Sequence, residues 1–243
     1  MKNINELNIA NLTALWTTVG RLVGNYSKGN ACESSIVNHS QWPNKIWIKE
    51  GLNTKLLDQL TEQMTSSKID LVFPHWNIYL DEITEVASDT FIQKSEQTGM
   101  SLKLDQAFKL SNSLNFKRVS QKEEVKLWTS IYPKCFGYVI SEEILSKTKD
   151  EIAFYLFYAN DELVGTAIYF PTNEVVGIHG VGIIPEMRKK GFAEEIMKIL
   201  LNKAISESIS YATLQASPLG KGIYKRLGFT EDFTIKNYGL KAI

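Results

Sequence analysis

The stretch VGIIPEMRKKGFAEEIM, residues 181–197, decides the reading of the chain. An apolar run ends at Ile184 and Pro185, three basic residues follow at Arg188, Lys189 and Lys190, and past Gly191 the period changes. Ala193, Ile196, Met197, Leu200, Leu201, Ala204 and Ile205 then recur at helical spacing. A strand that turns into a helix leaves the first helical amides without intrahelical acceptors. The helix dipole adds partial positive charge at the same end, and Gly191 lets the backbone approach a ligand closely. The turn reads as an anion site suited to phosphate or pyrophosphate. Two familiar phosphate loops do not apply: G-x-x-x-x-G-K-[ST] is absent, and GIHGVG (177–182) lies too far before the helix to cradle a dinucleotide.

Working outward, residues 114–120 alternate like a strand, and residues 121–132 form an amphipathic helix ended by Pro133. EIAFYLFYA (151–159) and LVGTAIYFP (163–171) are β-rich runs joined by a hairpin turn, and a second turn at 172–174 leads into VVGIHGVGII (175–184). Beyond the long helix, YATLQA (211–216) is a strand and GKGIYKRL (220–227) a short helix closed by Gly228. Residues 229–240 supply the last strand. The expected order is β-α-β-β-β-α-β-α-β.

RKKGFA (188–193) meets every fixed position of [QR]-x-x-G-x-[GA], and the segment around it resembles motif A of the GNAT superfamily of acyl-CoA N-acyltransferases. LQASPLGKGIYKRLGF (214–229) resembles that family's motif B, in which a strand, a small polar residue and a helix carrying tyrosine precede L-G-F. The resemblance spans about residues 114–240. It implies an α/β (α+β) fold, a mixed and mostly antiparallel sheet flanked by helices, with acetyl-CoA as co-substrate. The implied activity is transfer of the acetyl group to a primary amine by direct attack, through a tetrahedral intermediate.

By offset from Pro185, the resemblance puts the backbone groups that pair with pantetheine and thioester at Val181, Gly182 and Ile183, with the Ile183 N–H as oxyanion donor. It lays the pyrophosphate over the amides of Lys189, Lys190, Gly191, Phe192, Ala193 and Glu194, with Arg188 orienting the turn. Tyr224 takes the general-acid position. Ser217 stands where asparagine is common and is kept as a cofactor-binding residue. The glutamate that some relatives place on the strand before motif A falls at Gly177, so the expected base is missing. His179, on the same strand face, is the candidate in its place.

Residues 1–113 read as a mixed α/β half: helix 8–24, strand 45–50, helix 54–64 and strand 69–73. The boundary to a GNAT domain at 114–243 is placed in polar, glycine-containing sequence near 95–113. LWTT (15–18) and LWTS (127–130), each with a tyrosine ten residues after its tryptophan, hint at a duplication whose first copy lacks the cofactor loop. Trp128, Tyr132, Phe136 and Tyr138, with Trp42, Trp47 and Trp76, are candidates to line an acceptor site, most of them expected in the core.

Composition bounds the partners. With 27 basic and 27 acidic residues in 243, no global field favours nucleic acid or an anionic membrane. No signal-peptide pattern or run of ~18 apolar residues appears, which points to a cytoplasmic protein. Cys32 and Cys135 have no metal-ligand spacing and read as free thiols, and the three histidines are scattered, so no metal is implied. The acceptor is a small amine or a peptide. A longer acyl-CoA, aminoacyl-tRNA as donor, and a non-catalytic acyl-CoA-binding module are the alternatives.

Overall fold

The computed structural model describes residues 3–29, 32–79, 81, 82, 86, 89–111 and 113–241. The chain opens with α1 (Ile4–Leu22), capped by the Asn3 side chain, which accepts from the Asn5 amide. Three short strands, β1 (Asn25–Lys28), β2 (Glu33–Ile36) and β3 (Lys45–Trp47), make a small antiparallel sheet of their own. Next come α2 (Thr54–Ser66), β4 (Phe73–Trp76), β5 (Phe91–Lys103) and β6 (Asn115–Arg118). The helices α3 (Lys122–Phe136) and α4 (Glu142–Thr148) precede a meander of β7 (Ala153–Ala159), β8 (Glu162–Thr172) and β9 (Val175–Ile183). The chain closes with α5 (Phe192–Ser206), β10 (Tyr211–Ala216), α6 (Lys221–Arg226) and β11 (Thr230–Leu240).

Eight strands form one mixed sheet in the order β4-β11-β5-β10-β9-β8-β7-β6. Its neighbours are antiparallel except β9 and β10. The period-2 alternation of the meander explains the layers. Tyr155, Phe157, Ala167 and Tyr169 point to the face covered by α5, where they pack with Ile196, Leu200 and Ala204. Phe154, Leu156, Ile168 and Phe170 point to the other face and pack with Trp128, Ile131 and Ile144 from α3 and α4, and with Leu15 and Val19 from α1. Both faces of these strands are buried, so their sequence is nearly continuously apolar.

Several details differ from the sequence expectation, β1 and β2 among them, which it did not include. Pro133 does not end α3, which runs on to Phe136 and closes on Gly137 at φ 78, whose N–H donates to the Pro133 carbonyl. The short α4 is additional. The polar stretch near 95–113 begins inside a 13-residue strand, β5, which lies between β10 and β11. The sheet therefore crosses the expected boundary, because a strand from before residue 113 separates two strands from after it. The polar character of β5 has a physical cause: residues 92–96 are exposed, and only Phe91 at one end and Gly99 to Ser101 near the other are buried.

Candidate functional site

The parallel pairing of β9 with β10 holds only from Tyr211↔Val175 to Thr213↔Gly177 and then stops. From His179 onward β9 leans away, which opens a cleft between the two strands. A register shift against β8 between Thr166 and Ile168, with Gly180 at φ 55, marks a bulge where the lean begins. Thr166 fixes the bulge by donating its hydroxyl to the Gly180 carbonyl at 3.1 Å.

Beyond the bulge the backbone polarity of β9 follows from the ladder. The Ile184 N–H donates to the Val164 carbonyl at 3.0 Å, so the neighbouring pair Ile183 and Gly165 exchanges no bonds. The N–H and C=O of Ile183 consequently point away from β8, toward the side on which the cleft opens. Arg188 takes up that carbonyl: its Nε donates to Ile183 O at 3.2 Å and its Nη2 to Cys135 O at 3.3 Å. The guanidinium ties the turn to the end of β9 and to α3.

Gly191 caps α5 in the left-handed region at φ 80, and a Cβ there would meet nothing within 4 Å. The space over the helix N-terminus is therefore open. Gly191, Phe192 and Ala193 present the amides that begin the helix, whereas the Glu194 N–H is donated to the Gly191 carbonyl at 3.1 Å. The Glu194 carboxylate pairs with Lys198 at 3.0 Å and Arg226 at 3.4 Å and is held below the usual carboxylate range, first by Lys198. Lys189 is also left-handed at φ 63, and the Lys190 ammonium reaches the Met187 sulfur.

A cavity of about 380 Å³ runs from this turn across the cleft. Val181, Ala193, Ser217 and Tyr224 line one end. Burial pushes the Tyr224 phenol up to about 12, and its ring meets Phe229 edge-on. The Ser217 hydroxyl accepts from the Gly220 amide at 3.2 Å, so it caps the turn into α6 while facing the cavity. The other end is walled by Trp16, Trp42, Trp76, Tyr132, Phe136 and Tyr138. The two tyrosine hydroxyls are bonded to each other at 2.6 Å. Of the expected aromatic lining, Trp47 and Trp128 lie instead in the core, each fully buried.

His179 and Gln215 bridge the cleft where the backbone pairing has ended, with Nδ1 and Oε1 at 3.1 Å. The orientation of this bridge is set from outside the C-terminal half. Asn8 of α1 donates its amide to the Met100 carbonyl at 3.1 Å, so its Oδ1 must accept from Gln215 Nε2 at 2.6 Å. Gln215 then offers an oxygen to His179, which places the ring proton on Nδ1 and leaves Nε2 as a bare lone pair. Burial lowers the His179 pKa to about 4, against a smaller upward effect of the Gln215 bond. Asn8 and Asn11, both buried, were not singled out from sequence. Their signal is two asparagines three apart on the apolar stripe of α1, next to Leu12 and Leu15.

Residues 121–229 match the acetyltransferase (GNAT) family. That segment is a GNAT acetyltransferase domain. Its fold is shared over the full length by a GCN5-related N-acetyltransferase from Kribbella flavida, with a TM-score of 0.75 at 14% identity, covering 100% of this chain and 98% of that one. A putative GNAT-family acetyltransferase from Novosphingobium aromaticivorans aligns with a TM-score of 0.65 at 11% identity, over 98% and 99% of the two chains. A GCN5-related N-acetyltransferase from Sphaerobacter thermophilus aligns with a TM-score of 0.62 at 15% identity, over 88% and 78% of the two chains. No curated protein matches the chain by sequence. At these identities the likeness is one of fold, and it takes in the N-terminal half as well as the GNAT segment. No group of three or more metal-ligating side chains occurs among the described residues, and none of the described helices is long and apolar enough to cross a membrane.

Proposed function

We propose that this protein is an N-acetyltransferase that moves the acetyl group of acetyl-CoA to a primary amine on a small molecule or peptide. The observation that carries the reading is the end of β9–β10 pairing at Gly177 and Thr213, which opens a cleft between a phosphate-type helix terminus and a phenol. Open space over Gly191 and the outward-facing backbone of Ile183 suit a long, anionic, thioester-bearing ligand.

In this reading the amides that open α5 hold the pyrophosphate, and Lys189 and Lys190 add charge at its edge. Arg188 acts by positioning, since its bonds to Ile183 and Cys135 fix the turn against β9. Acetyl-CoA supplies the thioester carbonyl that the amine attacks. The Ile183 N–H is the donor for that carbonyl oxygen, and it gains strength as the oxygen becomes anionic. Tyr224, raised to about 12, keeps its proton throughout the neutral range and serves as the donor to the departing sulfur, not as a base.

His179 is the one expected role that the geometry supports least. Its lone pair lies on Nε2, which is enclosed, and a pKa of about 4 makes it a weak acceptor for an ammonium proton near ~10.4. We assign it to the wall of the site, with the amine's proton leaving to solvent water.

Calorimetric titration with acetyl-CoA of the wild type beside Gly191→Glu tests the reading. Binding by the wild type and at least ten-fold weaker binding by the variant is expected, because a carboxylate would stand against the pyrophosphate. Equal binding by both, or by neither, overturns the assigned cradle.

A further inference from the structure

Lys45 is the one formally charged side chain among the described residues that line the cavity, and no acidic group lines it. It stands on β3, in the N-terminal half, at the end walled by tryptophans, with its ammonium 5.7 Å from the Trp16 ring centroid. It forms no ion pair with any described residue. Burial alone lowers its pKa to about 8, and no carboxylate offsets that cost. Lys45 is half-buried, and a cation held partly out of water without a counter-ion is costly unless a ligand completes it.

We infer that Lys45 receives a carboxylate of the acceptor, so that the substrate class is a small amine carrying a carboxylate and an apolar body, as an amino acid does. The proposal rests on the acetyltransferase reading and names the acceptor within it. A single lysine matches one unit of negative charge, whereas a phosphate brings ~1.5 to 2 and calls for more cations. The other polar groups at this end are neutral and satisfied: the Asn237 amide donates to Gln97 Oε1 at 3.2 Å, and the Tyr132 and Tyr138 hydroxyls are bonded to each other at 2.6 Å. The aromatic walls suit the apolar body. The volume, about 380 Å³ for the whole cleft, restricts the acceptor to a small molecule or a chain terminus.

The test uses full-length wild type, Lys45→Met and Lys45→Arg, each checked for an unchanged melting transition. The enzyme, with acetyl-CoA, is given matched pairs that differ only in the carboxylate: L-phenylalanine and 2-phenylethylamine, L-tryptophan and tryptamine, L-leucine and 3-methylbutylamine. Release of free thiol is followed. Expected is a preference of the wild type for the carboxylate member of at least one pair. That preference should fall about 10- to 100-fold in Lys45→Met, mainly through KM, and be largely kept in Lys45→Arg. A wild type that prefers the decarboxylated amines, or a Met variant that keeps the carboxylate preference, overturns the proposal. The same amines are also titrated calorimetrically into the protein with coenzyme A. Lys45-dependent binding of the carboxylate members without turnover would sustain the proposal and sink the acetyltransferase reading. Absence of such binding for every amino acid would sink the proposal while leaving acetyl-CoA binding intact.

Discussion

Asn11 Oδ1 and His179 Nε2 converge on Gly177: a Cβ on that residue would stand 1.9 Å from the first atom and 2.3 Å from the second. Both atoms are acceptors. The Asn11 amide nitrogen is committed to the Phe170 carbonyl at 2.9 Å and the Thr172 hydroxyl at 2.8 Å, and the His179 proton faces Gln215. Two lone pairs thus share the space in which some relatives carry a glutamate, and neither has a hydrogen-bond partner within the protein. The missing carboxylate is accounted for by packing: α1 brings Asn11 into the place that a side chain at 177 would need.

Gly177→Ala should therefore destabilise the protein by about 1–3 kcal/mol through overpacking, since Asn11 is anchored by two hydrogen bonds and cannot swing aside freely. Urea unfolding should show a lower midpoint at unchanged slope. Combining it with Asn11→Ala should cost less than the two single changes added, because the clash is removed with the amide. Strict additivity would mean that the two residues do not compete for the same space.

His179 gives acid stability a defined window. Its ring is favoured neutral in the folded protein, at a pKa of about 4 against an ordinary 6.5, so the unfolded chain takes up the proton first. The contribution is complete above pH 6.5 and is lost as pH falls from there toward 4, by about 1.4 kcal/mol per pH unit. His179→Gln should flatten the stability profile across this window relative to the wild type, whatever constant offset the lost bond to Gln215 adds. Parallel profiles would show that the ring titrates normally in the folded state.

Tyr224→Phe should lower kcat by about 10²- to 10⁴-fold, the range of a single proton donor, and leave acetyl-CoA affinity within about three-fold. The phenol titrates at about 12, so the wild-type activity profile should have no falling limb from this group below pH 10. Unchanged turnover in the variant would reduce Tyr224 to a packing partner of Phe229.

The parts of this molecule that were legible in the sequence are those whose signals are local. The α5 stripe, the hairpin turns at Asn160 and Asn173, both at positive φ, and the Gly191 terminus each depend on residues within a few positions of one another. What stayed hidden depends on distant packing. Nothing within KIWIKE marks Lys45 as facing a cavity, since its neighbours there, Trp16 and Trp76, come from α1 and β4. The pair Asn8 and Asn11 looks like a polar interruption of a helix until their partners at 100, 170 and 215 are known. The polar face of β5 masked an interior strand, because its neighbours lie more than 100 residues further along the chain.

That strand makes the last prediction. Residues 114–243 include both motifs and most of the sheet, yet without β5 they leave β10 and β11 with no partner between them. Met100 is lost with it, and the Phe233 ring of β11 loses Gly99, on which it packs. Two facing strand edges with unpaired N–H and C=O groups invite pairing with other chains. The fragment 114–243, expressed alone, should be aggregated or partly unfolded and should not bind acetyl-CoA. Addition of residues 89–113, joined at either end by a flexible linker, should improve solubility and cooperative melting, because the strand needs its place in the sheet more than its place in the sequence. A fragment 114–243 that melts cooperatively and binds acetyl-CoA as the full chain does would show instead that β10 and β11 close without β5.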